Sequence, residues 1–362
     1  MKFIHVADIH LGVTLSHASF KNAQQHTRRV QELRDAFFRL MDYAEEENVD
    51  MLFIAGDMFE SNHLKFFEMQ AIFKKLGELS SEVFLIIGNH DTFLHEQAYQ
   101  SLIRESGVRM FTRESPVHTF ENIDVYGINT RDFSPELLES LNEKLSSSKD
   151  NVLLLHGDVK NPRDDHYLAN VKTLENTGFD YIALGHIHKH EYLKDHIVYP
   201  GNPEPLDFSE TGERGFIEGT LEDGNLSTVF KPFNSRTFVV HEIPVDEHDV
   251  QDSLLSKIRK SIRSHISEKD FNRIVFTGEK HTELELDFTW FKETLEEDVY
   301  YAEFKDKTED SVSLEALKDI HKDDALGKLI ENFEQEKKTD EEDSLALEQA
   351  IRALLTTRRD AR

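Results

Sequence analysis

Strand-length apolar runs that each stop at a possible metal ligand are the strongest constraint in this chain. FIHVA leads into Asp8 and His10, LFIA into Gly56-Asp57, VFLII into Gly88-Asn89, and VLLL into His156; YIAL is followed, after a short gap, by His186 and His188. A side chain placed just past a strand sits where α/β proteins assemble a reactive centre from distant sequence. One such block carries little information. Five in succession restrict the chain to folds that bring several strand ends together, and a dinuclear metal site is the expected result.

Between the runs the apolar period changes from strand to helix. Residues 27–48 put Val30, Leu33, Phe37, Leu40, Met41 and Ala44 on one helical face, and 65–76 and 95–104 are also expected helices. They alternate with strands at 3–7, 51–55 and 83–87, a βαβαβ rhythm that predicts parallel strands joined by crossover helices. Beyond them the strands crowd together, at 117–120, 123–128, 152–155, 181–184, 192–193 and 197–199. A hairpin is expected at 216–221 and 227–232, turning at 222–225. The expected class is α/β: a two-sheet sandwich flanked by helices over residues 1–235. Residues 236–310 are expected to form a small α+β domain, with strands at 237–241, 273–277 and 283–288 and a helix at 250–266. A helical C-terminal segment, 311–362, is expected to hold helices at 326–333 and 345–355. Two short amphipathic helices cannot bury their apolar faces alone, so they dock on their own domain or on a partner.

The chain has no Cys, which excludes disulfides, thiolate nucleophiles and Cys-ligated zinc or iron–sulfur centres. Any metal is held by N and O donors. The apolar run at the N-terminus meets Asp8 at once, too soon for a secretory signal, and no stretch approaches the ~20 apolar residues of a membrane span. A cytoplasmic protein without membrane contact is expected. Acidic residues outnumber basic ones by 70 to 42, a net charge of -28, which opposes binding to a phosphate polymer unless a partner or local basic patches offset it. The excess is spread along the chain rather than confined to a tail, with 19 acidic and 11 basic residues in 236–310 and 13 against 9 in 311–362.

Asp8, His10, Asp57, Asn89, His156, His186 and His188 offer carboxylate, amide and imidazole donors, a mixture suited to Mn, Fe, Zn or Co and unlike an all-oxygen calcium cage. A carboxylate such as Asp57 has two oxygens with which to bridge two ions. A pair of ions would activate a water, fix a phosphate and stabilise both oxygens of an in-line displacement, so phosphoester hydrolysis is the reaction such a site fits. His90, beside Asn89, is placed to protonate a leaving oxygen, with Asp91 to orient it. Other histidines, among them His95, His166 and His190, are read as structural or exposed.

Asp8-Ile-His10, Gly56-Asp57, Gly88-Asn89-His90-Asp91, His156-Gly157 and Gly185-His186-Ile187-His188 resemble the five motifs of calcineurin-like metallophosphoesterases. Within that superfamily MKFIHVADIHLG, FIAGDMFE, ALGHIHKHE and YPGNPEPLDFSETGERGF most resemble the SbcD and YhaO-like DNA repair exonucleases, relatives of the nuclease subunit of the double-strand-break repair complex. The resemblance runs from residue 1 to about 221. It implies that Asp8, His10, Asp57 and His188 hold one ion and Asp57, Asn89, His156 and His186 the other, with Mn2+ as the metal. It further implies that 236–310 is a capping domain that selects DNA and that the C-terminal helices dock an SMC-like coiled-coil ATPase; among partners, a second copy of the chain in a homodimer is also considered. Some nuclease relatives carry His where Glu60 stands here.

A DNA exonuclease or endonuclease is therefore the expected activity. The alternatives are a phosphodiesterase or phosphatase for a small nucleotide or phosphoester, and a scaffold that keeps the fold without chemistry. The 128 residues beyond 234 argue against the small substrate, and retention of every ligand and His90 argues against the scaffold. Met58-Phe59-Glu60-Ser61 replaces the Asp-Arg-Gly run of protein phosphatases.

Overall fold

Successive side chains of a strand leave opposite faces of the sheet, and here both faces are buried. Along β1 (Lys2–Val6), β2 (Met51–Ala55) and β3 (Glu82–Ile86), Phe3, Phe53 and Phe84 enter one core while Ile4, Leu52, Ile54 and Leu85 enter another. The same alternation occurs in β7 (Asp150–His156), where Val152 and Leu154 face the first of these cores and Leu153 and Leu155 a third. Unbroken apolar runs are what strands buried on both sides require.

The computed structural model describes residues 1–15, 23–60, 64–264, 269–311, 325–335 and 351. By contacts the chain divides into a first unit, Met1–Val240 with Ser267–Arg273 and Leu295–Glu303, and a second, His241–Ile266 with Ile274–Thr294 and Phe304–Arg362.

The first unit is built on two six-stranded sheets. In one, β1, β2, β3 and β4 (Arg109–Met110) run parallel, and the hairpin of β11 (Gly215–Glu222) and β12 (Asn225–Pro232) adds antiparallel to β1, giving the order β12-β11-β1-β2-β3-β4. In the other the order is β5-β6-β7-β8-β10-β9, with β5 (Val117–Thr119), β6 (Ile123–Ile128), β8 (Tyr181–Gly185), β9 (Glu191–Lys194) and β10 (Ile197–Tyr199); β6, β7, β8 and β10 are parallel. A row of rings fills the space between the sheets, with centroids 5.4 Å apart for Phe3–Phe53, 5.7 Å for Phe53–Phe84 and 4.9 Å for Phe3–Tyr181. Burial of each side chain of this kind contributes about 1.5–3 kcal/mol.

Helices α1 (Ala23–Glu46), α2 (Phe66–Gly77) and α3 (Gln97–Ser106) cover the first sheet through Phe37, Leu40, Met41, Met69, Phe73 and Ile103. The second is covered by α4 (Pro135–Asn142) and α5 (Val171–Glu175) through Leu138, Leu141 and Leu174. The α4 start is written locally: Ser134 accepts the Leu137 N–H, and Pro135 supplies a first residue with no N–H to satisfy. The expected hairpin is present, and it turns at Asp223-Gly224, both with positive φ, as a two-residue turn between twisted strands requires. This is the expected α/β two-sheet sandwich flanked by helices.

In the second unit α6 (Gln251–Ser264) buries Leu254, Leu255, Ile258 and Ile262, and Phe276, Phe288, Phe291 and Phe304 form an aromatic cluster. The third sheet has the order β13 (Phe238–Val245), β14 (Phe271–Lys280) and β15 (Tyr301–Asp310). One expectation fails here. Residues 283–288 form no strand; Asp287 accepts the Trp290 N–H at 2.9 Å and starts α7 (Phe288–Thr294). The strand is β15, whose charged outer half hides its alternation. The expected helix at 326–333 is α8 (Ala325–Gln335), while that at 345–355 lies almost wholly outside the described residues.

Candidate metal centre

Each proposed ligand stands at or just past the C-terminal end of a parallel strand: Asp8 and His10 after β1, Asp57 after β2, Asn89 after β3, His156 at the end of β7, His186 and His188 after β8. Backbone hydrogen bonds knit the loops together. Asp8 N–H donates to Gly56 O at 3.1 Å, His10 N–H to Asp57 O at 3.0 Å and Gly157 N–H to Gly185 O at 3.1 Å. The geometry is strained, since Asp8 (φ 54°), His10 (49°), Asp57 (49°) and His186 (99°) all occupy a region that side chains disfavour at about 1–3 kcal/mol each. Such turns aim side chains from separate strands at one point. Gly56, itself at φ 85°, has no room for a Cβ, which would strike the His156 ring.

All seven residues converge. His156 Nε2 lies 3.1 Å from Asp57 Oδ2 and 3.0 Å from Asn89 Oδ1, and His186 Nδ1 lies 3.1 Å from the same Asn89 oxygen. His10 Nε2 and His188 Nε2 face each other at 3.0 Å. Donor atoms of Asp8, His10 and His188 form one group, and those of Asp57, His156 and His186 a second, each with all its atoms within 4.8 Å of one another.

The hydrogen bonds on the far side of each ring decide what these nitrogens offer. His10 Nδ1 meets Glu60 Oε2 at 2.8 Å, His188 Nδ1 meets Glu210, and His156 Nδ1 meets Ala55 O at 2.8 Å. Each partner is an acceptor, so each Nδ1 carries the proton and each Nε2 of a neutral ring presents a lone pair. Lone pairs then face lone pairs at His10–His188, and His156 faces two oxygens. Only positive charge between them makes this arrangement favourable, and the donor set fits divalent cations.

The titration behaviour agrees. Burial lowers the His156 pKa, but Asp57 and Asp8 raise it to about 9; His188, lowered by burial, is likewise raised to about 9 by Glu210, Asp8 and Asp57. The field of the site calls for cationic charge where the ions are expected. Burial opposes ionisation of Asp57, yet His156 and His10 hold its pKa well below the usual carboxylate range.

His90 borders this group, half exposed, its backbone N–H donating to Asp57 Oδ1 at 2.8 Å. The orienting carboxylate is not the expected one. Glu60 Oε1 lies 3.0 Å from His90 Nδ1, so Glu60 grips His10 with one oxygen and His90 with the other. Asp91 is fully buried and accepts the Met58 and Gly88 N–H groups at 2.9 and 2.7 Å, which fixes the loops after β2 and β3. Being three and one residues from Gly88 and His90 in a tight turn, its carboxylate is spent on the turn itself. Glu60 raises the His90 pKa; burial and the nearby Asp57 charge push that of Asp91 up to about 7.

Sequence reasoning missed Glu210 and Arg214 as well as the role of Glu60. Glu210 also accepts from Asn202 at 2.6 Å and from the Leu206 N–H at 2.7 Å, and Arg214 donates to the His188 carbonyl. All sit in stretches that carried the family resemblance, but nothing in their spacing paired them with a histidine.

A two-sheet α/β sandwich with a His, Asp and Asn cluster at its strand ends defines the class of dinuclear metallohydrolases. The family model for calcineurin-like phosphoesterases matches residues 1–190, more than half of the chain, and the protein belongs to that family. It is 28% identical over 250 residues to a protein named uncharacterized metallophosphoesterase YhaO from Bacillus subtilis (strain 168), an alignment covering 64% of this chain and 60% of that one. The chain thus matches less than two thirds of that relative's length. A dimetal phosphatase structure from Danio rerio aligns over 61% of this chain and 92% of its own at 13% identity, with a TM-score of 0.38.

Proposed function

We propose that the protein is a metal-dependent phosphodiesterase that degrades DNA from its ends, working with an SMC-like coiled-coil ATPase. The carrying observation is the convergence of seven donor side chains beside a histidine held by its own carboxylate. Asp8, His10, Asp57 and His188 would hold one divalent cation, and Asp57, Asn89, His156 and His186 the other, with Mn2+ the metal proposed. Such a pair, when bound, supplies Lewis acidity to a phosphate and lowers the pKa of a water.

The chain's own residues do the rest. His90, its pKa raised by Glu60, delivers a proton to the leaving oxygen. Glu60, Glu210 and the Ala55 carbonyl hold His10, His188 and His156 in register, so little reorganisation accompanies reaction. DNA as substrate is supported by the resemblance of the motif stretches to repair exonucleases and by the second unit, which a minimal phosphoesterase does not need.

A second reading, hydrolysis of a small nucleotide or phosphoester, is favoured by the charge of -28, which repels a polyanion. A panel of metals against linear duplex, single strands, cyclic nucleotides and an aryl phosphodiester separates the two. Shortening of linear DNA with Mn2+ supports the first; turnover of cyclic nucleotides with intact DNA establishes the second.

A further inference from the structure

A cavity of about 740 Å³ shares two of its walls with the metal centre, since His186 and His188 line it together with Lys189, His190, Thr211 and Phe230. Pockets of about 300–1,000 Å³ accommodate small organic ligands, so a nucleoside fits. Inside it the rings of His190 and Phe230 are stacked, 4.0 Å between centroids at 19°, and Tyr192 meets His190 edge-on at 5.2 Å. Neither ring of the stacked pair is wholly buried. His190 follows His188 by two residues, which span at most about 7 Å, so a group esterified to a phosphate at His188 has the ring pair within reach.

The polar lining narrows the choice of ligand. Ser209 and Thr211 bring hydroxyls and Glu213 a carboxylate on an exposed side chain. Glu213 and Glu210 offer acceptors to the N–H groups of a base, while Lys189 and Arg214, which line the same cavity, can donate to its carbonyl oxygens. Planar rings with both donors and acceptors at their edges are what this surface matches.

We propose that this cavity is a nucleobase subsite, in which the exposed face of the stacked Phe230–His190 pair receives the base of a nucleotide whose phosphate lies at the metal centre. The inference rests on the phosphoesterase reading above and deepens it, because it makes the substrate a nucleotide. The test is calorimetric titration of the full-length, manganese-loaded protein with two probes of like charge, thymidine 5′-monophosphate and methyl phosphate. The nucleotide is expected to bind about tenfold tighter, a typical effect of one stacked base. Phe230→Leu, which keeps apolar bulk and loses the π-face, is expected to bring the two within about twofold, and Phe230→Tyr to keep the preference. Equal affinity for both probes, absence of binding by either, or a preference untouched by Phe230→Leu overturns the proposal. Preference for the nucleotide in a protein that leaves DNA intact sinks the nuclease reading and keeps the subsite; DNA cleavage without the preference does the reverse.

Discussion

Glu60 joins His10, a proposed metal ligand, to the proposed proton donor through its two oxygens, and this makes its charge, rather than its bulk, the testable quantity. His90→Ala removes the donor while leaving every ligand in place. Turnover is expected to fall by about 10²–10³-fold with metal content, read by elemental analysis, unchanged. The pH profile gives the sign. His90 acts protonated, and Glu60 raises its pKa above 6.5, so activity is expected to decline as pH rises through the raised value. Glu60→Gln removes that charge, and the alkaline limb of the kcat profile is expected to move to lower pH; a limb that stays in place would detach Glu60 from His90. His5 is a separate case, buried between Tyr181 Oη at 2.8 Å and the Leu184 carbonyl at 3.1 Å. Burial lowers its pKa to about 3, so the unfolded chain binds a proton there that the folded chain refuses. Its stability contribution is present above pH 6.5 and shrinks below it, by about 1.4 kcal/mol per pH unit until about pH 3. In His5→Gln that slope is expected to vanish, which urea unfolding at pH 7, 6 and 5 measures against the unsubstituted protein.

Among the elements, the parallel strands were legible because strands buried on both faces need continuous apolar runs, as at Met51–Ala55, where expected and observed bounds coincide. The third strand of the last sheet was not. Residues 283–288 alternate like a strand yet precede a helix started by Asp287, while Tyr301–Asp310 carries alternating charge on an edge that sequence periodicity reads as solvated coil. The loop after β10 is the element with the largest unforeseen role, since its Glu210 holds His188 from 22 positions away. Glu210→Ala leaves the His188 ring free to turn. Metal affinity, measured by competition with a chromogenic chelator, is expected to weaken about 10–100-fold with the circular dichroism spectrum retained. An unchanged affinity would mean that Glu210 serves the loop alone.

At the scale of the whole molecule the charge of -28 meets a proposed polyanionic substrate. If a partner supplies most of the attraction, the isolated chain contacts few phosphates, and the log–log salt slope of DNA binding is expected to have a magnitude of about 2 or less. A slope of magnitude about 6 or more would place a strongly basic track on this chain. None of the described helices is long and apolar enough to cross a bilayer. The amino-acid order by itself determined the strand-and-helix alternation, the absence of thiol chemistry and the seven donor residues, because those depend on local periodicity and residue type. Only the tertiary structure decided that Glu60 and not Asp91 holds His90, that Glu210 braces His188, and that His190 stacks on Phe230 beside the centre. Those pairings join loops far apart in the chain, and a hydrogen bond between distant residues depends on strand register and backbone turns that no local pattern specifies.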